Sequence, residues 1–141
     1  MQEEKIMVKL IIGIKGTGKT KTLIQMVNSA LETTGGNVVV LEKGEKLRYD
    51  IKYQARLVNT DEYYVNDAQS LYGFVAGLLA SNHDVTELFI DSALKICAED
   101  LPAFEKLVEE LDVLTVKRDV NITITASMPE ESATDVIKKY L

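Results

Sequence analysis

Apolar and polar positions follow two rhythms along this chain. Short apolar runs at residues 6–12, 37–41, 87–91 and 121–127 have the length and bulk of buried strands. Between them the period changes to that of a helix. Leu23, Met26, Val27, Ala30 and Leu31 share one face over 21–31. Leu71, Phe74, Val75, Leu78 and Leu79 do so in a helix that begins at Asn66. Phe104, Leu107, Val108, Leu111 and Leu114 line a long helix over 102–118, and Val136, Ile137, Tyr140 and Leu141 line a final amphipathic helix. Strand and helix alternate throughout. That predicts an α/β fold: a three-layer, doubly wound, mostly parallel sheet with its ligand at the carboxyl ends of the strands.

Punctuation residues sharpen this outline. Gly35-Gly36 reads as a left-handed cap closing the first helix. Asn66 with Gln69, and Ser127 with Glu130, have the spacing of capping boxes. Pro102 suits the first turn of its helix. Gly73 and Gly77 stand four apart, which suggests close packing of that helix against a neighbour. Residues 42–66 are the ambiguous stretch. Ile51, Tyr53, Ala55 and Leu57 alternate with Lys52, Gln54 and Arg56, as in a half-exposed extra strand or a hairpin.

The most informative segment joins the first strand to the first helix. Gly13-Ile14-Lys15-Gly16-Thr17-Gly18-Lys19-Thr20 satisfies G-x-x-x-x-G-K-[ST], in the strand–loop–helix setting this motif needs. Its glycines let successive amides point inward at phosphate oxygens, and the helix start adds about half a positive charge. Gly13, Lys15, Gly16, Thr17, Gly18, Lys19, Thr20 and Lys21 are therefore the candidate phosphate-binding residues. Lys19 is also the leading catalytic candidate, reaching the β- and γ-phosphates, while the Thr20 hydroxyl suits Mg²⁺. Leu88-Phe89-Ile90-Asp91 supplies a second candidate metal ligand, Asp91, at a strand's carboxyl end. The competing reading of Asp91 is a cap on the segment that follows.

Composition narrows the choices further. At 141 residues the chain suits one nucleotide-binding domain spanning 1–141. A net charge of −6, with scattered basic residues, argues against a general grip on nucleic acid. No apolar run reaches the ~18–20 residues of a membrane span. The acidic start, Met1 to Lys5, does not read as a secretory signal. One cysteine, Cys97, cannot form an internal disulfide, so a cytoplasmic location is expected, with Cys97 packed as a small hydrophobe. The only histidine, His83, sits in a turn cluster. Tyr49, Tyr53, Tyr63 and Tyr64 gather in the ambiguous stretch, where one could stack on a base.

With these motifs the chain resembles a P-loop NTPase over most of its length, and Leu88–Asp91 looks like a Walker B element. The polar strand end Thr125-Ala126-Ser127 is similar to the sensor position of the branch containing RecA-like ATPases and thymidine kinases. That resemblance implies a sensor strand inserted between the Walker A and Walker B strands. The core order is then 2-3-4-1 along the chain, and Ser127 is a candidate catalytic contact. A fainter likeness to thymidine kinase lies in Lys46-Leu47-Arg48-Tyr49-Asp50.

Departures from the family pattern matter too. The glutamate that commonly follows or lies near the Walker B aspartate is absent, since Ser92 comes next. Glu99 and Asp100 are the nearest later carboxylates, so Glu99 is a candidate base, although both also suit the start of the helix containing Pro102. The chain has no zinc-ligating cysteine set, no D-x-x-G and no N-K-x-D guanine reader. Arg48, Arg56 and Arg118 are the arginines available as a finger, from this chain or another subunit. The expectation is an ATP-binding protein using Mg²⁺, a slow or partner-activated ATPase and switch, acting with a protein partner or as a homo-oligomer. Two alternatives stay open: a phosphotransferase with 42–66 as its lid, and a sensor that binds nucleotide without hydrolysing it.

Overall fold

The computed structural model describes residues 6–141, so the acidic start lies outside the described residues. Five strands form one all-parallel sheet: β1 (Val8–Gly13), β2 (Asn37–Glu42), β3 (Arg56–Asn59), β4 (Val85–Ile90) and β5 (Asn121–Ser127). Their spatial order is β1-β5-β4-β2-β3. The four expected strands run β2-β4-β5-β1, and the full order differs from the four-strand expectation by a fifth strand. The ambiguous stretch contributes one strand, not a hairpin, and it is added at the outer edge of β2. Residues 51–55 leave the extended path because Ile51 and Ala55 turn together into the core beside Leu47. Only Arg56–Asn59 remains free to pair with β2.

Helices cover both faces of the sheet. On one side α1 (Lys19–Thr33) packs Leu23 and Val27 against Val38, Val40 and Phe89, and Leu47, Ile51 and Ala55 extend the layer. On the other, α2 (Ala68–Ser81) and α4 (Leu101–Arg118) bury Leu71, Val75, Leu79, Phe104, Leu107, Val108 and Leu111 over Leu88, Ile90, Ile122 and Ile124. The short helices α3 (Ala93–Ile96) and α5 (Asp135–Lys138) complete that side. Side chains of β2 alternate between the two layers, as a strand buried on both faces must.

Several expected caps move. Asp67, one residue after Asn66, caps α2 by accepting from the Ser70 amide at 2.7 Å, and the Ser70 hydroxyl accepts from the Asp67 amide at 3.1 Å. A shorter partner at the third position closes the box as well as Gln69 would. Helix α1 ends on extended Thr34, not on a left-handed glycine. Gly36 answers a different need: a Cβ there would strike Thr86 and the Asp84 carbonyl. Ser127 with Glu130 caps nothing. Thr134 caps α5, which is a single turn in which Val136 and Ile137 pack inward, while Leu141 beyond it is exposed. Gly73 and Gly77 face solvent, with open space where a Cβ would stand. They mediate no close helix packing.

Among the described residues no helix is long and apolar enough to cross a membrane.

Candidate functional site

Parallel strands bring all their carboxyl ends to one edge, and a cavity of about 670 Å³ opens there. The Gly13–Thr20 loop forms one wall. Gly16 and Gly18 hold φ at +89° and +86°, a left-handed path that costs a residue with a Cβ but costs glycine nothing. Gly13 is needed for another reason: its missing Cβ would lie 2.6 Å from the Thr17 hydroxyl. That hydroxyl donates to the Ile14 carbonyl at 2.7 Å. Gly13 and Thr17 therefore shape the loop, while Lys15, Gly16, Gly18, Lys19, Thr20 and Lys21 line the cavity. Gly18 caps α1, whose first-turn amides at Lys19, Thr20 and Lys21 have no partner one turn back. Lys19 folds over the loop, its ammonium donating to the Ile14 carbonyl at 2.9 Å with two further protons to offer.

Asp91 follows β4 and is 7% exposed. The Thr20 hydroxyl lies 3.3 Å from each of its carboxylate oxygens, bridging the loop helix to the neighbouring strand end. Thr125 of β5 donates to Asp91 Oδ1 at 2.7 Å and accepts the Ser92 amide at 2.8 Å. Ser92 is held at a left-handed φ of 56°, so the same threonine orients the carboxylate and pins the turn behind it. This pair, Thr125 and Asp91, joins β5 to the end of β4. Ser127 stands exposed at the end of β5 and lines the same cavity.

A carboxylate missed in the sequence completes the group. Glu42 ends β2, is 3% exposed and lines the cavity. Its two oxygens accept the amides of Lys46 at 2.9 Å and Leu47 at 3.2 Å. Burial pushes its carboxyl above the ordinary range. The two amides pull against that rise, and the Asp91 charge adds to it. The signal for Glu42 is its position at the polar end of an apolar run; that β2 lies beside β4 comes from the fold alone. The motif's own spacing points instead to the carboxylates after Asp91, Glu99 and Asp100.

The remaining candidates separate cleanly. Glu99 lines the cavity and is exposed, whereas Asp100 caps α4 by accepting the Ala103 amide at 3.2 Å. Arg118 donates to the Leu79 carbonyl at 2.7 Å, a structural bond between α4 and α2. His83 lies at the amino-terminal edge of β4, opposite the cavity. Cys97 is buried in the core, its thiol pushed up to about 12 chiefly by burial, which keeps it unreactive.

The cavity walls carry six lysines (Lys15, Lys19, Lys21, Lys43, Lys46, Lys95) against three carboxylates (Glu42, Asp91, Glu99). On a protein of net charge −6 this concentration of positive charge suits a polyanion. The Thr20 hydroxyl and Asp91 carboxylate are hard oxygen donors of the kind Mg²⁺ takes. Among the described residues no group of three or more His, Cys, Asp or Glu could hold a metal alone. An ion here would draw its other ligands from phosphate and water, the usual habit of Mg²⁺. No protein-family model matches the chain, and no curated protein matches it significantly.

Proposed function

We propose that this protein binds ATP with Mg²⁺ and hydrolyses it slowly, or when a partner engages it, so that it works as a nucleotide switch. One observation carries the reading: the loop hydroxyl of Thr20 and the strand-end carboxylate of Asp91 meet at 3.3 Å beside a glycine loop and the Lys19 ammonium. The amides at the start of α1 and Lys19 would hold the phosphates. Thr20 and Asp91 would hold Mg²⁺, which when bound neutralises charge on the phosphate oxygens. Glu42, which lines the cavity beside Asp91 and whose burial favours taking up a proton, would serve as base for a water attacking the terminal phosphate. Ser127 and Glu99 line the same space and are the second rank of polar contacts.

Two observations weigh against the phosphotransferase reading. Leu47, Ile51 and Ala55 anchor the first half of the proposed lid, 42–66, in the layer beside α1. Among the described residues that line the cavity there is no arginine, the usual clamp on a transferring phosphoryl group. A buried Glu42 likewise favours turnover over binding alone. The preference for ATP rests only on the missing guanine-reading motif.

Calorimetry with ATP, with and without Mg²⁺, followed by a phosphate-release assay, tests the proposal. The expected result is Mg²⁺-dependent heat that Lys19→Ala removes, with slow phosphate release that Glu42→Gln removes. Heat unchanged by Lys19→Ala would overturn the site. Binding without any release, alone or with candidate acceptors, would leave a sensor.

A further inference from the structure

Pockets for small organic ligands are mostly apolar and aromatic, with a few polar groups that fix orientation. The cavity beside Asp91 inverts that ratio. Among the described residues, its walls are six lysines, three carboxylates, the hydroxyls of Thr20, Ser92 and Ser127, two glycines and two leucines. Leu47 and Leu94 are both buried, so neither offers a broad apolar face.

The flat side chains of the molecule all stand elsewhere. The chain has no tryptophan, three phenylalanines and six tyrosines. Phe89, Phe104 and Tyr140 are buried in the core, and Tyr72 and Phe74 pack against it. Tyr53 and Tyr63 line a separate groove of about 310 Å³ that runs along β3. Tyr49 and Tyr64, each 84% exposed, line neither space. The Tyr49 ring is already engaged: the Arg48 guanidinium lies 4.8 Å from its centre and donates to its hydroxyl at 2.7 Å.

A base is held by stacking on such rings and is told from other bases by neutral groups matched to its edge. Among the described residues, no asparagine or glutamine lines the cavity either. A lysine ammonium donates to any acceptor, and every base carries one, so the six lysines do not discriminate. What they do match is a row of phosphate oxygens, to which an ammonium binds as a point charge.

We infer that this site recognises the triphosphate and not the nucleoside, so that it takes ATP, GTP, CTP and UTP alike and inorganic tripolyphosphate as well. The inference rests on the nucleotide reading proposed above and sets its ligand class as Mg²⁺-bound triphosphates, whatever they carry. The nucleoside contributes little to affinity, because it finds no ring to stack on and no amide to pair with.

Competition calorimetry on the full chain with Mg²⁺ tests it. The four nucleotides bind within about fivefold of one another, a span narrower than one stacked ring would impose. Tripolyphosphate displaces ATP and binds within about tenfold of it. Lys19→Ala, checked as folded by circular dichroism, weakens ATP and tripolyphosphate by the same factor. ATP held more than about fivefold tighter than the other three nucleotides overturns the inference and leaves the ATP reading intact. So does tripolyphosphate that fails to displace ATP. Tripolyphosphate binding that Lys19→Ala leaves unchanged overturns it too, as an attraction to lysines elsewhere on the surface. If neither ATP nor tripolyphosphate gives heat, the nucleotide reading itself falls, and this inference with it.

Discussion

Asp91 and Glu42 end neighbouring strands on one edge of the sheet, and both carboxylates are nearly closed to solvent. Their company differs. Asp91 is held by hydroxyls, from Thr125 at 2.7 Å and Thr20 at 3.3 Å. Glu42 is held by main-chain amides of its own loop, at Lys46 and Leu47. A hydroxyl rotates, so it can turn its proton aside and give a lone pair to a cation, and the carboxylate beside it stays available. An amide cannot rotate without moving the chain. Asp91 therefore sits in an adjustable setting suited to an arriving ion, and Glu42 in a fixed, desolvated one suited to a proton. Two acids a strand apart acquire different chemistry from the donors around them.

The largest expected effect tests the Asp91 half of this contrast. Asp91→Asn weakens Mg²⁺-dependent ATP binding on the order of 100-fold, while binding without Mg²⁺ changes little. Calorimetry in both conditions reads the difference, and equal losses in the two would break the assignment. Glu42→Gln tests the other half through rate. Phosphate release falls roughly 100-fold or more, with ATP affinity nearly kept. The pH profile carries a second signature. Burial raises the Glu42 carboxyl above its ordinary 4.5, so hydrolysis by the wild type gains an acid limb above that value, absent from the variant. Stability runs the opposite way. The contribution from this raised group is complete below 4.5 and is lost as pH rises through the elevated value, so Glu42→Gln flattens that part of a stability–pH curve.

Thr125→Val sharpens the comparison by stripping Asp91 of its closest hydroxyl. It leaves Asp91 Oδ1 short of a donor and the Ser92 amide without its acceptor, which costs about 1–3 kcal/mol in denaturant unfolding. Thr125→Ser, which keeps the hydroxyl, recovers most of that and the Mg²⁺ dependence. The smallest effect supplies a baseline far from both acids. Gly73→Ala fills open space on α2 and stabilises the fold by up to about 1 kcal/mol. Its ATP binding should match wild type; a change would mean that stability alone moves the affinities compared here.

How far the molecule could be read beforehand depended on the range of the forces involved. Gly13–Thr20 was legible because its requirement is local: backbone torsions, one lysine, one hydroxyl. The apolar runs likewise announced four strands, and β5 spans the expected 121–127. Asp91 stood out as a charge ending such a run. Glu42 ended another, yet its burial and its amides come from Lys46 and Leu47 folding back, which no residue pattern states. The stretch 51–57 shows the same limit. Its alternation suited a longer strand, but Ile51 and Ala55 gain more by entering the layer beside α1. At α2 the cap moved by one residue, where Asp67 and Asn66 are chemically near-equal and geometry decides; at α5 it moved from Ser127 to Thr134. The glycines at 73 and 77 misled because exposure on a helix is fixed by the whole packing arrangement.

Residues 43–48 stand between two cavities. Lys43, Lys46 and Leu47 line the one beside Asp91, while Gly44, Glu45 and Arg48 line the one along β3. A shared partition imposes symmetry on energetics: if occupancy on one side shifts this segment, occupancy on the other answers by the same factor. Glu42 fastens that partition to the end of β2 through the Lys46 and Leu47 amides, so any such coupling would have to run through its carboxylate.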